Sequence, residues 1–437
     1  MTETDREAPA GIIADIPLAL SFDWRWKLAI AFAGALVLLL VFGMAQPVLF
    51  GIGVWGANVP YVWGFDLINY VWWIGIANGA SLFAAILVIR RHDLRTSINR
   101  FAEGVALFAV ICAGIFPIMH LGRPWLFYWT FPYPATFEVW PQFRSTLTWD
   151  FWAISTHVIV TTLLWYTGLI PDLATLRDRS RSLRSKTVFG LFALGWRGSV
   201  RHWAYHQTAY RIVAALVLPL ILIMQSTVAF EFATTLVPAW HDTRKPLHFV
   251  VTGIASGLAT VLFIAIMLRR GLSLERYIDD EDIELMAKLL LAASLVIAII
   301  YLEEAFTSVL SGPLAQETLL ARLFDQFAGA YWAAILLIVV APQVLWFERA
   351  RSSLLVCALA SASVLVGVWL DRFSIVIGGM QGDYLPSVSG TYLPTFPEWA
   401  LLGGTLGLFA GFLLLFVRFL PVISMFETRH AEHGDGS

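Results

Sequence analysis

The sequence predicts an all-α integral membrane protein of about ten transmembrane helices, arranged as two parallel-related four-helix bundles plus two flanking helices. Three observations lead there. Of 437 residues, 58% are hydrophobic and only 14% are charged, too few charges to clothe a soluble domain. Apolar runs of about 20 residues recur along the whole chain, and each can cross roughly 30 Å of hydrocarbon. Finally, a short string repeats: GIANG at Gly75–Gly79 opens a stretch ending in Arg90-Arg91, and GIASG at Gly253–Gly257 opens one ending in Arg269-Arg270. The copies lie four spans apart, so they share one orientation. Small residues also allow close helix packing, which is the plainer reading of the same strings.

In chain order the expected spans run roughly Trp26–Val48, Trp63–Ile89, Phe101–Met119, Phe151–Leu169, Ile212–Leu236, Phe249–Leu268, Ile283–Leu310, Phe327–Trp346, Leu354–Leu370 and Trp399–Phe419. Lipid offers the backbone no hydrogen-bond partners, so each segment must be a helix. Lys and Arg fix the expected orientation. They crowd the second, fourth, sixth and eighth loops, as in Arg177, Arg179, Arg181, Arg184, Lys186, Arg197 and Arg201 of the fourth. The odd loops hold few, namely Arg123, Arg144, Arg244, Lys245, Arg322 and Arg372. Even loops and both termini are therefore expected in the cytoplasm, with odd loops outside. The expected organisation is a cytoplasmic N-terminal segment (residues 1–25), the first helix and outer loop (26–62), a first bundle (63–236), a second bundle (237–370), an outer loop and last helix (371–420) and a cytoplasmic tail (421–437).

Cys112 and Cys357 both fall within apolar runs and read as small buried hydrophobes. Without a C-x-x-C or Cys/His cluster, no iron–sulfur cluster or zinc is expected in this chain. The acidic N-terminus lacks the basic and short apolar regions of a removable signal peptide. No nucleic-acid partner is expected. The third loop, Leu121–Trp149, is rich in Trp, Tyr, Phe and Pro. It reads either as an interfacial aromatic belt or as a docking surface and the lip of a site for a lipid-soluble substrate.

Ionisable groups are costly in a membrane and tend to mark function. They gather on the side of the odd loops: His120 before Leu-Gly-Arg123-Pro-Trp125, Asp150 opening the fourth span, Glu231 near the end of the fifth before Trp240-His241-Asp242, and Asp371-Arg372 ending the ninth. Oxidation of a quinol releases two protons with two electrons, and carboxylates beside a histidine can accept them. Helix capping and interfacial pairing are the alternative, more so for Asp371-Arg372. Deeper groups, Glu103, His157, Glu303 and Glu304, could carry protons across the membrane. Asn78 and Gln225 are as readily explained as interhelical hydrogen bonds. A bis-histidine haem needs facing histidines at one depth, and His120, His157 and His248 offer no stacked pair on one helix.

Several strings resemble one family. They are Trp72-Trp73-Ile-Gly-Ile, Arg95-Thr-Ser-Ile-Asn-Arg-Phe-Ala-Glu103, Phe116-Pro-Ile-Met-His120-Leu-Gly-Arg-Pro-Trp125, Gly168 through Arg179, Pro238-Ala-Trp-His241, Pro342-Gln-Val-Leu-Trp346 and Asp371-Arg-Phe. Over roughly residues 60–420 the chain resembles the NrfD/polysulfide-reductase membrane-subunit family, in particular the ActC-type quinol-binding subunit of bacterial alternative complex III. The resemblance implies two four-helix bundles with no haem, metal or iron–sulfur cluster, in the bacterial inner membrane. It implies menaquinol or ubiquinol as substrate on the outer side, near a periplasmic iron–sulfur subunit. A second NrfD-like membrane subunit, c-type cytochrome or molybdopterin subunits, and membrane lipids complete the implied partners. His120, Asp150 and an acid in a Phe-Asp-Phe-Ala context would serve the quinol, with Arg123, Trp125, His241, Asp242 and Arg372 as pocket candidates. The context here reads Phe230-Glu231-Phe232-Ala233, a longer acid, and Asp242 stands where Thr is expected. The rival from another class is a secondary transporter with parallel repeats, binding its substrate near the midplane at broken helices.

Overall fold

The computed structural model describes residues 23–90, 92, 94–130, 146–381 and 390–425. Most of the expected terminal segments, and residues 131–145 of the aromatic loop with Arg144, lie outside the described residues. Those described form helices and loops with no strand among them. Ten helices are long and apolar enough to cross a membrane. They are α1 (Trp24–Phe50), α2 (Phe65–Arg90), α3 (Asn99–His120), α4 (Thr146–Arg179), α5 (Val200–Ala233), α6 (Lys245–Gly271), α7 (Asp280–Leu310), α8 (Ala328–Trp346), α9 (Leu354–Met380) and α10 (Phe396–Phe419). The chain is a multi-pass membrane protein.

The helices α2, α3, α4 and α5 close one four-membered ring, and α6, α7, α8 and α9 close a second. The helices α1 and α10 pair with each other and flank the first ring through α3 and α2. The two rings join where α2 meets α6, and the repeated strings are that seam. A Cβ on Gly79 would stand 2.2 Å from the Gly253 carbonyl oxygen, and one on Gly257 would stand 2.3 Å from the Ala80 nitrogen. Only glycine lets the two backbones approach so closely, and dispersion at that distance drives helix association in lipid.

Three helices differ from the expected spans. The helix α4 runs on to Arg179, α5 begins at Val200, and α9 continues to Met380. Hydropathy marks only the apolar part of a helix, and these ends carry polar residues. The difference matters at α9. Asp371 and Arg372 are not at its end but inside it, 3% and 0% exposed. The span α8 is also interrupted: a π turn at Leu336–Val340 is followed by a 3-10 segment at Ala341–Trp346. Pro342 has no N–H to continue the ladder. The carbonyls released are bonded by side chains, with Ser294 donating to Ile338 (2.7 Å), Ser363 to Leu337 (3.1 Å) and Gln343 to Val339 (2.6 Å). That satisfies the demand lipid makes of an irregular backbone.

Candidate functional site

Five side chains meet inside the first ring at the end bearing the odd loops: Asp66 and Tyr70 from α2, His120 from α3, Asp150 from α4 and Glu231 from α5. All are buried, none more than 9% exposed. Asp66 and Tyr70 are one turn apart and share a face. The start of α2 is fixed by Glu398, at the beginning of α10. Its carboxylate accepts the backbone N–H groups of Gly56 (2.8 Å), Phe65 (3.2 Å) and Thr395 (2.9 Å) and the Tyr392 hydroxyl. Asp66 then accepts the Gly64 N–H at 2.9 Å, in the helix's first turn, where the macrodipole favours an anion. Trp63 packs beside the His120 ring, with centroids 5.3 Å apart.

The bonds within this cluster are incomplete. Tyr70 donates to Asp150, and the Glu231 carboxyl lies beside that of Asp150. His120 Nε2 lies 3.5 Å from Asp66 Oδ2, too far for a good hydrogen bond. Neither atom has another partner among the described residues, and Glu231 Oε1 also has none. Three buried polar atoms of one cluster are thus unsatisfied, where buried polar groups are as a rule bonded. No Lys or Arg among the described residues pairs with these acids. The cluster can take up protons and can bond hydroxyl groups placed among it.

The second ring holds another cluster at the same end. Tyr70 and His248 stand at matching positions, each five residues ahead of the first glycine of its repeat. His248 Nε2 lies 3.0 Å from Asp371, Tyr301 donates to Asp371 at 2.6 Å, and Arg372 lies 3.1 Å from it. Arg372 also bonds Thr252 and sits 4.1 Å over the Phe249 ring. Nearer the surface, Glu304 pairs with Arg322, and Arg244 grips Asp242 through both oxygens (2.8 and 2.9 Å). Burial pushes the Asp242 carboxyl up, but the Arg244 bonds outweigh it and hold the group below the usual carboxylate range. Glu303 lies 3.8 Å from Arg244 and is half exposed. These groups line a cavity of about 570 Å³ together with His241.

The candidates from sequence therefore divide. The structure brings His120, Asp150 and Glu231 together, and places His241, Asp242, Arg372, Glu303 and Glu304 in the second ring. Arg123 and Trp125 are exposed on the turn just after His120. Glu103 and His157 belong to the first ring. There Asn78 bonds Gln225, Ser81 Oγ lies 3.3 Å from His157 Nε2, and Glu103 bonds Tyr210 and Asn99 (2.9 Å) near the far end. Sequence reasoning does not single out Asp66, Tyr70 or Glu398. Asp66 is an acid at a span edge like the others, with Tyr70 four residues on, and that signal could have found both. Glu398 also stands at a span edge, just before Trp399 and three residues after Thr395 in a capping box, but its bonds to Gly56 and Phe65 join segments far apart in sequence.

The sequence has relatives among known proteins. The chain is 21% identical over 396 residues to the C component of the selenate reductase of Mesobacillus selenatarsenatis, covering 85% of this chain and 88% of that one. It is 24% identical over 426 residues to a protein of Halobacterium salinarum assigned as the membrane component of a dimethyl sulfoxide reductase, covering 89% and 90%. The family model described as "Polysulphide reductase, NrfD" matches residues 53–382. That stretch contains both rings and every member of the buried cluster, and the chain belongs to the polysulphide reductase NrfD family.

Proposed function

We propose that this chain is the quinol-binding membrane subunit of a reductase complex, oxidising quinol among Asp66, Tyr70, His120, Asp150 and Glu231. The supporting observation is the set of three unsatisfied buried atoms: His120 Nε2, Asp66 Oδ2 and Glu231 Oε1. A quinol has two hydroxyls that donate and, once oxidised, two carbonyls that accept. One hydroxyl approaching from the side could bond both His120 Nε2 and Asp66 Oδ2, which lie 3.5 Å apart. The other would face the neighbouring Asp150 and Glu231 carboxyls, which can accept its proton. His120 and Asp150 take the two protons, with Glu231 passing one on. Without a neighbouring cation, the cluster's affinity for protons is not spent on a salt bridge.

Electrons leave through a partner iron–sulfur subunit on the odd-loop face, taken as periplasmic from the Lys and Arg distribution. They pass onward to a molybdopterin subunit or to c-type haems. The names of the two relatives, both components of reductases, support the first acceptor. The resemblance to the alternative complex III subunit, carried in part by the string that includes His120, supports the second. Menaquinol and ubiquinol both fit the hydroxyl chemistry. The polar pairs Asn78–Gln225, Ser81–His157 and Tyr210–Glu103 lie at successive depths of the first ring and would carry protons away from the cluster. The test is quinol-dependent reduction of the complex's own redox centres. His120→Ala should abolish it in assembled complex, and wild-type turnover by that variant would refute the site.

A further inference from the structure

A second cavity of about 570 Å³ lies far from the quinol cluster, in the half of the molecule nearest the even loops. Its lining is almost wholly apolar. Its floor is Ile254 and Leu258 of α6, with Phe83 and Ile86 of α2 on one side and Leu289 and Val296 of α7 on the other. Ile86, Leu289 and Val296 are each at least 40% exposed. The groove begins at Gly79, on the seam between the rings, and ends at Arg90 and His92. At 1.5 Å per residue the α2 wall is about 16 Å long, close to half of a ~30 Å hydrocarbon core. It therefore spans one leaflet, from midplane to headgroup level. Both groups at the lip are exposed, and Arg90 is a permanent cation. Asp282, which faces the lip from α7, is held by the Ser97 hydroxyl at 2.9 Å.

We infer that this groove is a binding site for one anionic phospholipid of the even-loop leaflet. An acyl chain lies along α6 between α2 and α7, and the phosphate meets Arg90 at the lip. The depth of the groove fits a chain anchored at headgroup level, and the cation selects an acidic headgroup. The lipid also covers the open flank of the glycine seam and so braces the two rings against each other.

The test is native mass spectrometry of the intact complex extracted in mild detergent, counting retained phospholipids by class. Wild type should hold one more anionic phospholipid than either Arg90→Gln or Ala293→Phe, the second of which plugs the groove. Leu38→Ala, on the exposed face of α1, should match wild type. Arg90→Gln should weaken retention about fivefold, the value of one basic residue at a membrane surface. Quinol turnover should persist in both groove variants, which separates this site from the quinol cluster and reports that the variants fold. The proposal is overturned if both variants keep the wild-type count, or if the molecule lost is a zwitterionic lipid or a quinone.

Discussion

The two rings carry acids at the same depth and the same end, yet treat them oppositely. In the second ring Asp371 is surrounded by His248, Tyr301 and Arg372, Glu304 has Arg322, and Asp242 has Arg244. Every one of these carboxylates has a cation or a histidine within contact. In the first ring Asp150 accepts from Tyr70 beside Glu231, and Asp66 accepts the Gly64 N–H with the His120 ring 3.5 Å away. Ion pairs compensate buried charge and so fix structure, whereas unpaired carboxyls and imidazole keep a capacity for protons. The two rings thus differ at this end: the acids of the second are paired with cations or a histidine, and those of the first have no Lys or Arg partner among the described residues.

Four substitutions probe that contrast, beginning with the largest expected effect. Asp150→Asn keeps an acceptor for Tyr70 but cannot take a proton. Quinol oxidation should fall by about 10²–10⁴-fold with assembly intact, measured as steady-state turnover per complex. Asp371→Ala should do the reverse. It strands Arg372 and should cost about 3–5 kcal/mol of stability in detergent unfolding, while the surviving complex turns over within about twofold of wild type. Equal loss of turnover in both variants would erase the distinction between the rings.

Tyr70→Phe removes one hydrogen bond to a carboxyl, worth about 1.5–3 kcal/mol, so kcat/KM should drop roughly tenfold or somewhat more. No change would remove Tyr70 from the site. Smallest is Asp242→Asn, near the surface of the second ring. Because Arg244 depresses the Asp242 pKa in the folded state, its stabilisation is present above the unfolded value and is lost as pH falls through the folded one. The variant should lose about 1 kcal/mol or less at pH 7, and the gap from wild type should close below about pH 4 in thermal melts.

Much of this was legible in the sequence, for identifiable reasons. Span number follows from apolar length, and the GIANG and GIASG strings, read as a repeat, proved to be the contact between the rings. His120, Asp150 and Glu231 were visible because acids and imidazoles stand out in apolar helices. Which ring a residue joins was less visible. Asp371 and Arg372 look terminal because hydropathy falls there, but α9 runs on and buries them against His248. Glu303 and Glu304 were grouped with Glu103 and His157 by type, although they sit in different rings. Glu398 shows its local cap with Thr395 in the sequence, but not its bonds to the Gly56 and Phe65 N–H groups more than 300 residues away. Residue type and depth are written in one dimension; pairing is not.

In the proposed mechanism the unsatisfied polar atoms of the first ring hold the quinol. Equilibrium binding of a fluorescent hydroxyquinoline N-oxide quinol analogue, titrated into purified complex, tests it most directly. The account predicts one site whose affinity collapses in His120→Ala and Asp66→Asn and is unchanged in Asp371→Asn. Undiminished binding in the first two, or its loss in the third alone, would contradict it.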